Sequence, residues 1–447
     1  MPATPAPPVT PRESPAFARA VDPLGHRVHV AIAGAFTFVL PLGMVPGAKD
    51  VLLIVLFVYT LMRLPKISKC FGPLFQDPLA WWILAWPVWL AISLLWSPSP
   101  DFGGEELRAW RMLLVPLILW PVMQQFRLLI ITFALGCGVV VLVQLGQVIG
   151  IPGFELDIQG RADAWMHPIL AGAMLVSAAI WMLTGVLQWR GDRAAAMAAG
   201  LIVVVVGLVL TGSRGPWVSL AVAGTMLVIG TLVLCRTARR RTVTMGALGL
   251  VAIGGLILLD VYVLSGRLTG PIQSRIETAL VETDSSAGDD HYEIELGGWH
   301  RTPVGYRLLV WQAARDVFFE HPVLGIGGGG LSAELDEAWW LSDPQAAAAG
   351  IPLSQQHLNP HSMYLQVLAS TGLIGCLLLV IPMILAASRL LGRVGDPVFF
   401  GAAFVLVAWA AGAAFDAYQM MTAQVAVLML VYAAAMMTRP VRRELAT

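Results

Sequence analysis

Asn359-Pro360-His361-Ser362-Met363-Tyr364-Leu365-Gln366-Val367-Leu368-Ala369-Ser370-Thr371-Gly372-Leu373-Ile374-Gly375 is the stretch where a long polar loop ends and an apolar run begins. Read as the entry to a membrane-spanning helix, it puts His361 at a bilayer surface, with water on one side and lipid on the other. Such a place suits chemistry on a lipid-linked substrate. A histidine there can take a proton near neutral pH, because its unperturbed pKa is about 6.5. The same residues also read as a plain helix start, with Pro360 as breaker, Ser362 helping to cap, and Gly372 and Gly375 allowing close helix packing.

Working outward, the 447 residues are 57% hydrophobic and 13% charged, with a mean hydropathy of +0.74. That is too apolar for a soluble protein and fits a polytopic membrane protein. Several apolar runs approach the ~20 residues a spanning helix needs, and none alternates as a barrel strand would, so the expected class is all-α. A formal net charge of zero leaves no broad positive surface for a nucleic acid. Cys70, Cys137, Cys235 and Cys376 all fall outside the long loop, which argues against a structural disulfide. Met1 to Pro23, rich in Pro and Ala, reads as a disordered tail and not as a signal peptide.

About twelve spans are expected, starting near Val28, Val51, Leu79, Leu107, Leu128, Pro168, Ala194, Pro216, Val243, Ser362, Val398 and Tyr418. The chain then divides into a tail at 1–27, spans one to nine at 28–265, a large loop with amphipathic helices at 266–360, spans ten to twelve at 361–438, and a second tail at 439–447. Every second connection is basic: Arg63, Lys66 and Lys69; Arg127; Arg190 and Arg193; Arg236 and Arg239 to Arg241; Arg389 and Arg393; and Arg439, Arg442 and Arg443 at the end. The positive-inside rule makes those connections and both termini cytoplasmic. The long loop and His361 then face outward.

Some arginines fall on the outward side, where that rule does not explain them. Arg108 and Arg111 open the fourth span, and each reads either as an anion site or as a side chain that snorkels or pairs with a nearby acid. Arg214 lies in the tight turn Thr211-Gly212-Ser213-Arg214-Gly215-Pro216-Trp217, with no acid beside it and two glycines that let backbone N–H groups approach an anion. In the long loop, Arg307, Leu308, Val310, Trp311, Ala314, Val317 and Phe318 have helical spacing, which predicts an amphipathic helix over Pro303 to Glu320, ended by His321-Pro322. Gly325 to Gly330 (GIGGGG) follows and reads as a flexible turn or, without the Lys-Ser/Thr of a P-loop, as a weak phosphate cradle. Trp339 and Trp340 read as interfacial anchors.

No metal is expected. His357 and His361 are four apart, but Pro360 stands between them and the Glu of a zinc helix is missing. Asp284, Asp289 and Asp290 look like a solvated turn, and Asp50 is alone in its loop. Positive charge must then come from side chains, which suits a pyrophosphate leaving group: guanidinium forks bind it bidentately and stabilise the charge that develops as the bond breaks.

His361-Ser362, nine residues, then Gly372-Leu373-Ile374-Gly375 resembles the His-[Asn/Ser/Gln]-x9-Gly-x-x-Gly signature of the bacterial O-antigen ligases, within the O-antigen ligase/polymerase superfamily. Ser213-Arg214-Gly215 resembles that superfamily's outward arginine, Arg307 its second, and Arg161 looks like a further match in a variable segment. The resemblance implies a GT-C-type glycosyltransferase of the bacterial inner membrane with a periplasmic site. It would move polysaccharide from undecaprenyl pyrophosphate to the lipid A-core oligosaccharide, without metal or other cofactor. In that reading His361 is the general base, and Arg214, Arg307 and Arg161 hold the pyrophosphate. His167 and His357 are second choices for a histidine role and read first as structural. Rival readings are an O-antigen polymerase or a protein O-oligosaccharyltransferase using the same donor, and a lipid-linked oligosaccharide transporter, which would carry ionisable groups at mid-membrane.

Overall fold

The computed structural model describes residues 15–43, 47–156, 161–235, 303–336 and 359–438. The expected ninth span from Val243, the basic run Arg236 to Arg241, Asp284 to Asp290, Trp339, Trp340, His357 and the chain ends with Arg439, Arg442 and Arg443 lie outside them. Among the described residues the secondary structure is helical throughout, with no strand. In chain order the helices are α1 (Pro15–Val21), α2 (Pro23–Val39), α3 (Ala48–Ile67), α4 (Pro78–Ser93), α5 (Pro100–Ala109), α6 (Phe126–Val148), α7 (Pro168–Gln188), α8 (Asp192–Leu210), α9 (Arg214–Leu234), α10 (Pro303–Glu320), α11 (Gly330–Asp336), α12 (Met363–Leu391), α13 (Pro397–Gly412) and α14 (Thr422–Met437). Seven stretches of the described chain are long and apolar enough to cross a membrane, and α13 and α14 are shorter apolar helices.

Two sequence expectations change. The run from Leu107 is not one helix: α5 gives way to a 3-10 turn at Trp110–Leu113, a short helix at Leu114–Leu119 and a second 3-10 turn at Trp120–Gln125 before α6 begins. Pro116 and Pro121 remove the N–H groups a continuous helix would use there. Part of the expected tail is also helical. In α1 the small helix-former Ala18 is fully buried and its carbonyl accepts from Arg63.

The chain divides into two compact units. The first comprises residues 1–88, 106–230 and 377–447. Its centre is α7, α13 and α14: α7 packs on α8 and α13, and α13 packs on α14. α2 packs on α6 and α3, where the Thr37 and Thr132 hydroxyls meet at 2.6 Å. Apolar residues cover all sides of α3, α8 and α9, and much of that surface is exposed, including Ile54, Met62, Ile202, Val203 and Met226. Such helices are at home in hydrocarbon.

Ion pairs tie this unit together at the helix ends. Arg63, 4% exposed, donates to Asp22 Oδ2 at 2.9 Å and to His29 Nδ1 at 2.9 Å. Because a guanidinium can only donate, His29 Nδ1 must accept, so its proton sits on Nε2 and is donated to the Ile118 carbonyl at 2.7 Å. The hydrogen bond from Arg63 holds the Asp22 carboxyl below its usual range. Arg389 pairs with Asp77 at 2.6 Å and Arg127 with Asp396 at 2.8 Å. Arg63, Arg127 and Arg389 are among the charges that sort the connections in the sequence, and here each also fastens one element to another.

The second unit comprises residues 89–105 and 231–376. Its described core is Val310 and Ala314 of α10, Leu331 and Leu335 of α11, and Ala369 of α12. The loop helix α10 therefore lays its apolar face on α11 and on the first turns of the helix that follows His361.

Candidate active site

α12 is broken. At Gly372 the backbone takes φ 65° and ψ −167°, a conformation open in practice only to glycine. A break of this kind leaves carbonyls before it and N–H groups after it without helical partners. The segment after α10 supplies them. Ile326 and Gly327 donate to the Ala369 and Ser370 carbonyls at 2.9 and 2.8 Å, and Leu373 and Ile374 donate to the Pro322 and Val323 carbonyls at 2.9 and 3.4 Å. Trp89 Nε1–H donates to the Thr371 carbonyl at 3.2 Å. The first glycine of the x9 signature is thus a helix break with its own backbone clamp, and not the packing glycine that the plain helix reading offers.

The GIGGGG run is half of that clamp. Five of its six N–H groups are committed: Gly325 to the His321 carbonyl, Ile326 and Gly327 to α12, Gly328 to Ser93 Oγ at 3.1 Å, and Gly330 to the Gly327 carbonyl. Its carbonyls are engaged too, Gly325 by Trp96 Nε1–H at 3.2 Å and Gly328 by the Ser97 hydroxyl at 2.7 Å. A side chain on Gly329 would collide with the backbone of Ser99, Phe102 and Gly103. The glycines serve close backbone approach, so the run is neither a flexible turn nor a phosphate cradle.

His361 opens the other end of this first half of α12. It is half-buried and takes φ +44°, a left-handed conformation that is uncommon for a residue with a side chain. Both sides of the peptide group before it are held. Its own N–H donates to Asn359 Oδ1 at 2.9 Å, and the carbonyl of Pro360 accepts from Trp311 Nε1–H at 2.6 Å. That peptide plane is held on one side of His361, and on the other side α12 begins, with Gln366 N–H donating to the Ser362 carbonyl at 3.0 Å. Arg307, half-buried, lies four residues before Trp311 on α10, one helical turn or about 6 Å along the axis. Through Trp311 the second unit therefore ties the helix that carries Arg307 to the helix start at His361.

Arg214 and Arg161 belong to the first unit, where the structure brings their backbones together at the end of the α8–α9 hairpin. Ala162 N–H donates to the Leu210 carbonyl at 3.3 Å, four residues before Arg214. The turn is built locally: Gly212 takes φ +60°, the Thr211 hydroxyl donates to the Leu208 carbonyl at 2.7 Å, and Ser213 N–H donates to Thr211 Oγ1 at 3.2 Å. Gly215, expected to let backbone approach an anion, is instead small where Phe415 packs on it. Arg214 is the first residue of α9, exposed, with no ion-pair partner among the described residues. The positive end of the helix adds to its own charge. The segment carrying Arg161 hangs from α6: Gln147 Nε2 donates to the Glu155 carbonyl at 2.6 Å and to Asp163 Oδ1 at 2.8 Å, and Gln144 Nε2 to the Ala162 carbonyl at 3.1 Å.

The remaining sequence candidates are placed as follows. Arg111 is spent on Asp50, with Nη2 and Nε at 2.9 and 3.1 Å from one carboxylate oxygen, and its Nη1 donates to the Arg108 carbonyl at 2.6 Å. That is the acid-paired alternative. His167 is the residue before α7, in extended backbone. Trp311, Asn359, Gln144 and Gln147 carry the support of the site and were not singled out in the sequence as functional; their signal is that each has a planar polar group, donor or acceptor, next to a turn that must be held.

A search of curated proteins found no match to the chain. Residues 199–380, under half of the chain, match the model of the family described as O-antigen ligase. That range includes Arg214, Arg307, His361, Gly372 and Gly375, and leaves out Arg161, His167, Arg108 and Arg111. Over residues 199–380 the chain is therefore similar to the O-antigen ligase family.

Proposed function

We propose that the protein is a metal-independent GT-C-type glycosyltransferase with about twelve spans that transfers O-antigen polysaccharide from undecaprenyl pyrophosphate to the lipid A-core oligosaccharide, at the periplasmic face of the bacterial inner membrane. The observation that carries the reading is His361, at φ +44° behind a peptide group held by two hydrogen bonds, one of them from Trp311, which lies one helical turn from Arg307, all inside the family match. In the reaction, His361 takes the proton of the acceptor hydroxyl as its oxygen attacks the anomeric carbon. The bond from that carbon to the pyrophosphate oxygen breaks, and undecaprenyl pyrophosphate leaves. Arg307, Arg214 and Arg161 are assigned to the pyrophosphate, whose charge grows as the bond breaks. Direct displacement inverts the anomeric centre.

The test is transfer by purified protein from lipid-linked donor to lipid A-core. His361→Ala should abolish transfer with expression intact, and retention of more than about a tenth of the rate, where general-base catalysis is worth 100-fold or more, rules out the base assignment. Arg214→Lys should also fail, because a point charge does not replace a planar fork. On a lipopolysaccharide gel, deletion should remove the whole ladder while lipid-linked polymer accumulates; a surviving single-repeat rung would mark a polymerase instead.

A further inference from the structure

In the first unit a groove of about 640 Å³ opens where α1, the first turns of α2 and the 3-10 turn Trp120–Gln125 converge. Arg19, His26, Arg27, Gln124, Gln125 and Val30 line it. Arg19 and Arg27 are exposed and form no ion pair among the described residues, whereas nearby Arg63 and Arg127 are spent on Asp22 and Asp396. His26 is 4% exposed, and neither of its ring nitrogens has a hydrogen-bond partner among the described residues. A buried imidazole with both nitrogens unsatisfied is costly and calls for an explanation, an unfilled ligand position being one. The groove thus gathers two uncommitted guanidinium groups, an unsatisfied imidazole and two side-chain amides.

Its depth in the fold narrows the ligand. Leu24 and Val28 of α2 are 74% and 41% exposed, large apolar side chains that belong in hydrocarbon, and they flank Arg27. The groove mouth therefore sits where polar surface meets lipid-facing surface. We propose that it binds the phosphate-bearing headgroup of an anionic phospholipid in the leaflet on the side of the basic connections. The guanidinium forks take the phosphodiester oxygens, His26 and the glutamine amides take the remaining oxygens, and the acyl chains run along Val30. Inorganic phosphate offers the same anion without the apolar part, and the two sources separate in the test.

Full-length protein in detergent is titrated with phosphatidylglycerol, phosphatidylcholine and inorganic phosphate, and bound ligand is counted by native mass spectrometry. Phosphatidylglycerol should bind more tightly than phosphatidylcholine and resist displacement by an equal concentration of inorganic phosphate. R19Q/R27Q should weaken it roughly 25-fold, about fivefold for each arginine, with an unchanged melting midpoint in lipid-free detergent. R190Q/R193Q, which removes two exposed arginines from another connection, should leave binding as it was. Equal binding of phosphatidylglycerol to R19Q/R27Q, equal binding of phosphatidylcholine, displacement by inorganic phosphate, or an equal loss in R190Q/R193Q would each overturn the proposal.

Discussion

At the scale of single residues, the candidate site depends on a contact between positions far apart in the chain. His361 could be picked out of the sequence because a titratable ring at the border of a polar loop and an apolar run is rare and chemically pointed. Trp311 could not. A tryptophan at helical spacing in an amphipathic segment reads as part of the apolar face, and its indole N–H finds its partner 49 residues away. That hydrogen bond gives a specific expectation. Trp311→Phe keeps an aromatic ring, gives up the indole's second ring at a half-buried position and removes the donor, so α10 should stay packed while the Pro360–His361 peptide is freed on one side. A hydrogen bond of this kind is worth about 1 kcal/mol, and losing it should lower kcat roughly fivefold with KM near the wild-type value and little change in melting midpoint. Steady-state kinetics on the purified variant provides the check, and a fall in melting midpoint with kcat untouched would make Trp311 a packing residue only.

At the scale of elements, α10 was legible because three signals agreed: Pro303 at its first position, apolar residues at helical spacing, and His321-Pro322 at its end. The break in α12 was not. Apolar residues continue past Gly372 with the hydropathy of an unbroken span, and glycine is common in spanning helices, so only the segment that pairs with the break reveals it. The GIGGGG run misled for a related reason, since glycines that give flexibility and glycines that admit a neighbouring backbone look alike in sequence. Gly103 and Gly104 separate the two cases on one helix. A Cβ at Gly103 would overlap the backbone of Gly328, whereas at Gly104 it would meet nothing within 4 Å. Gly103→Ala should therefore destabilise the second unit by about 1–3 kcal/mol, the cost of overpacking, and Gly104→Ala should be neutral or stabilise by up to about 1 kcal/mol through helix propensity. Melting midpoints of the two variants in the same detergent would test this, and equal shifts would mean that the glycine run is not the close-packed clamp described.

At the scale of the whole molecule, hydropathy finds the spanning stretches and cannot rank them by place. α7, with mean hydropathy 2.0 in its most apolar window, is 83% buried there, and α8, at 2.4, is 22% buried. In lipid both a central and a peripheral helix are apolar all round, so the pattern that separates core from surface in a soluble protein is lost. Orientation is legible by another route, the alternation of basic connections. It carries the outward placement of His361 and can be tested on either side of α7. Pro152, between α6 and α7, and Arg190, between α7 and α8, are both exposed. In a variant whose four native cysteines are replaced, Pro152→Cys should react with a membrane-impermeant maleimide in intact cells with a permeabilised outer membrane. Arg190→Cys should react only after the inner membrane is opened. Labelling of both from outside would mean that α7 does not cross. The reverse pattern would turn the first unit over and leave the charge alternation without its explanation. Because the same alternation sets the face of the His361 loop, that result would remove the reason for placing the sugar acceptor beside it.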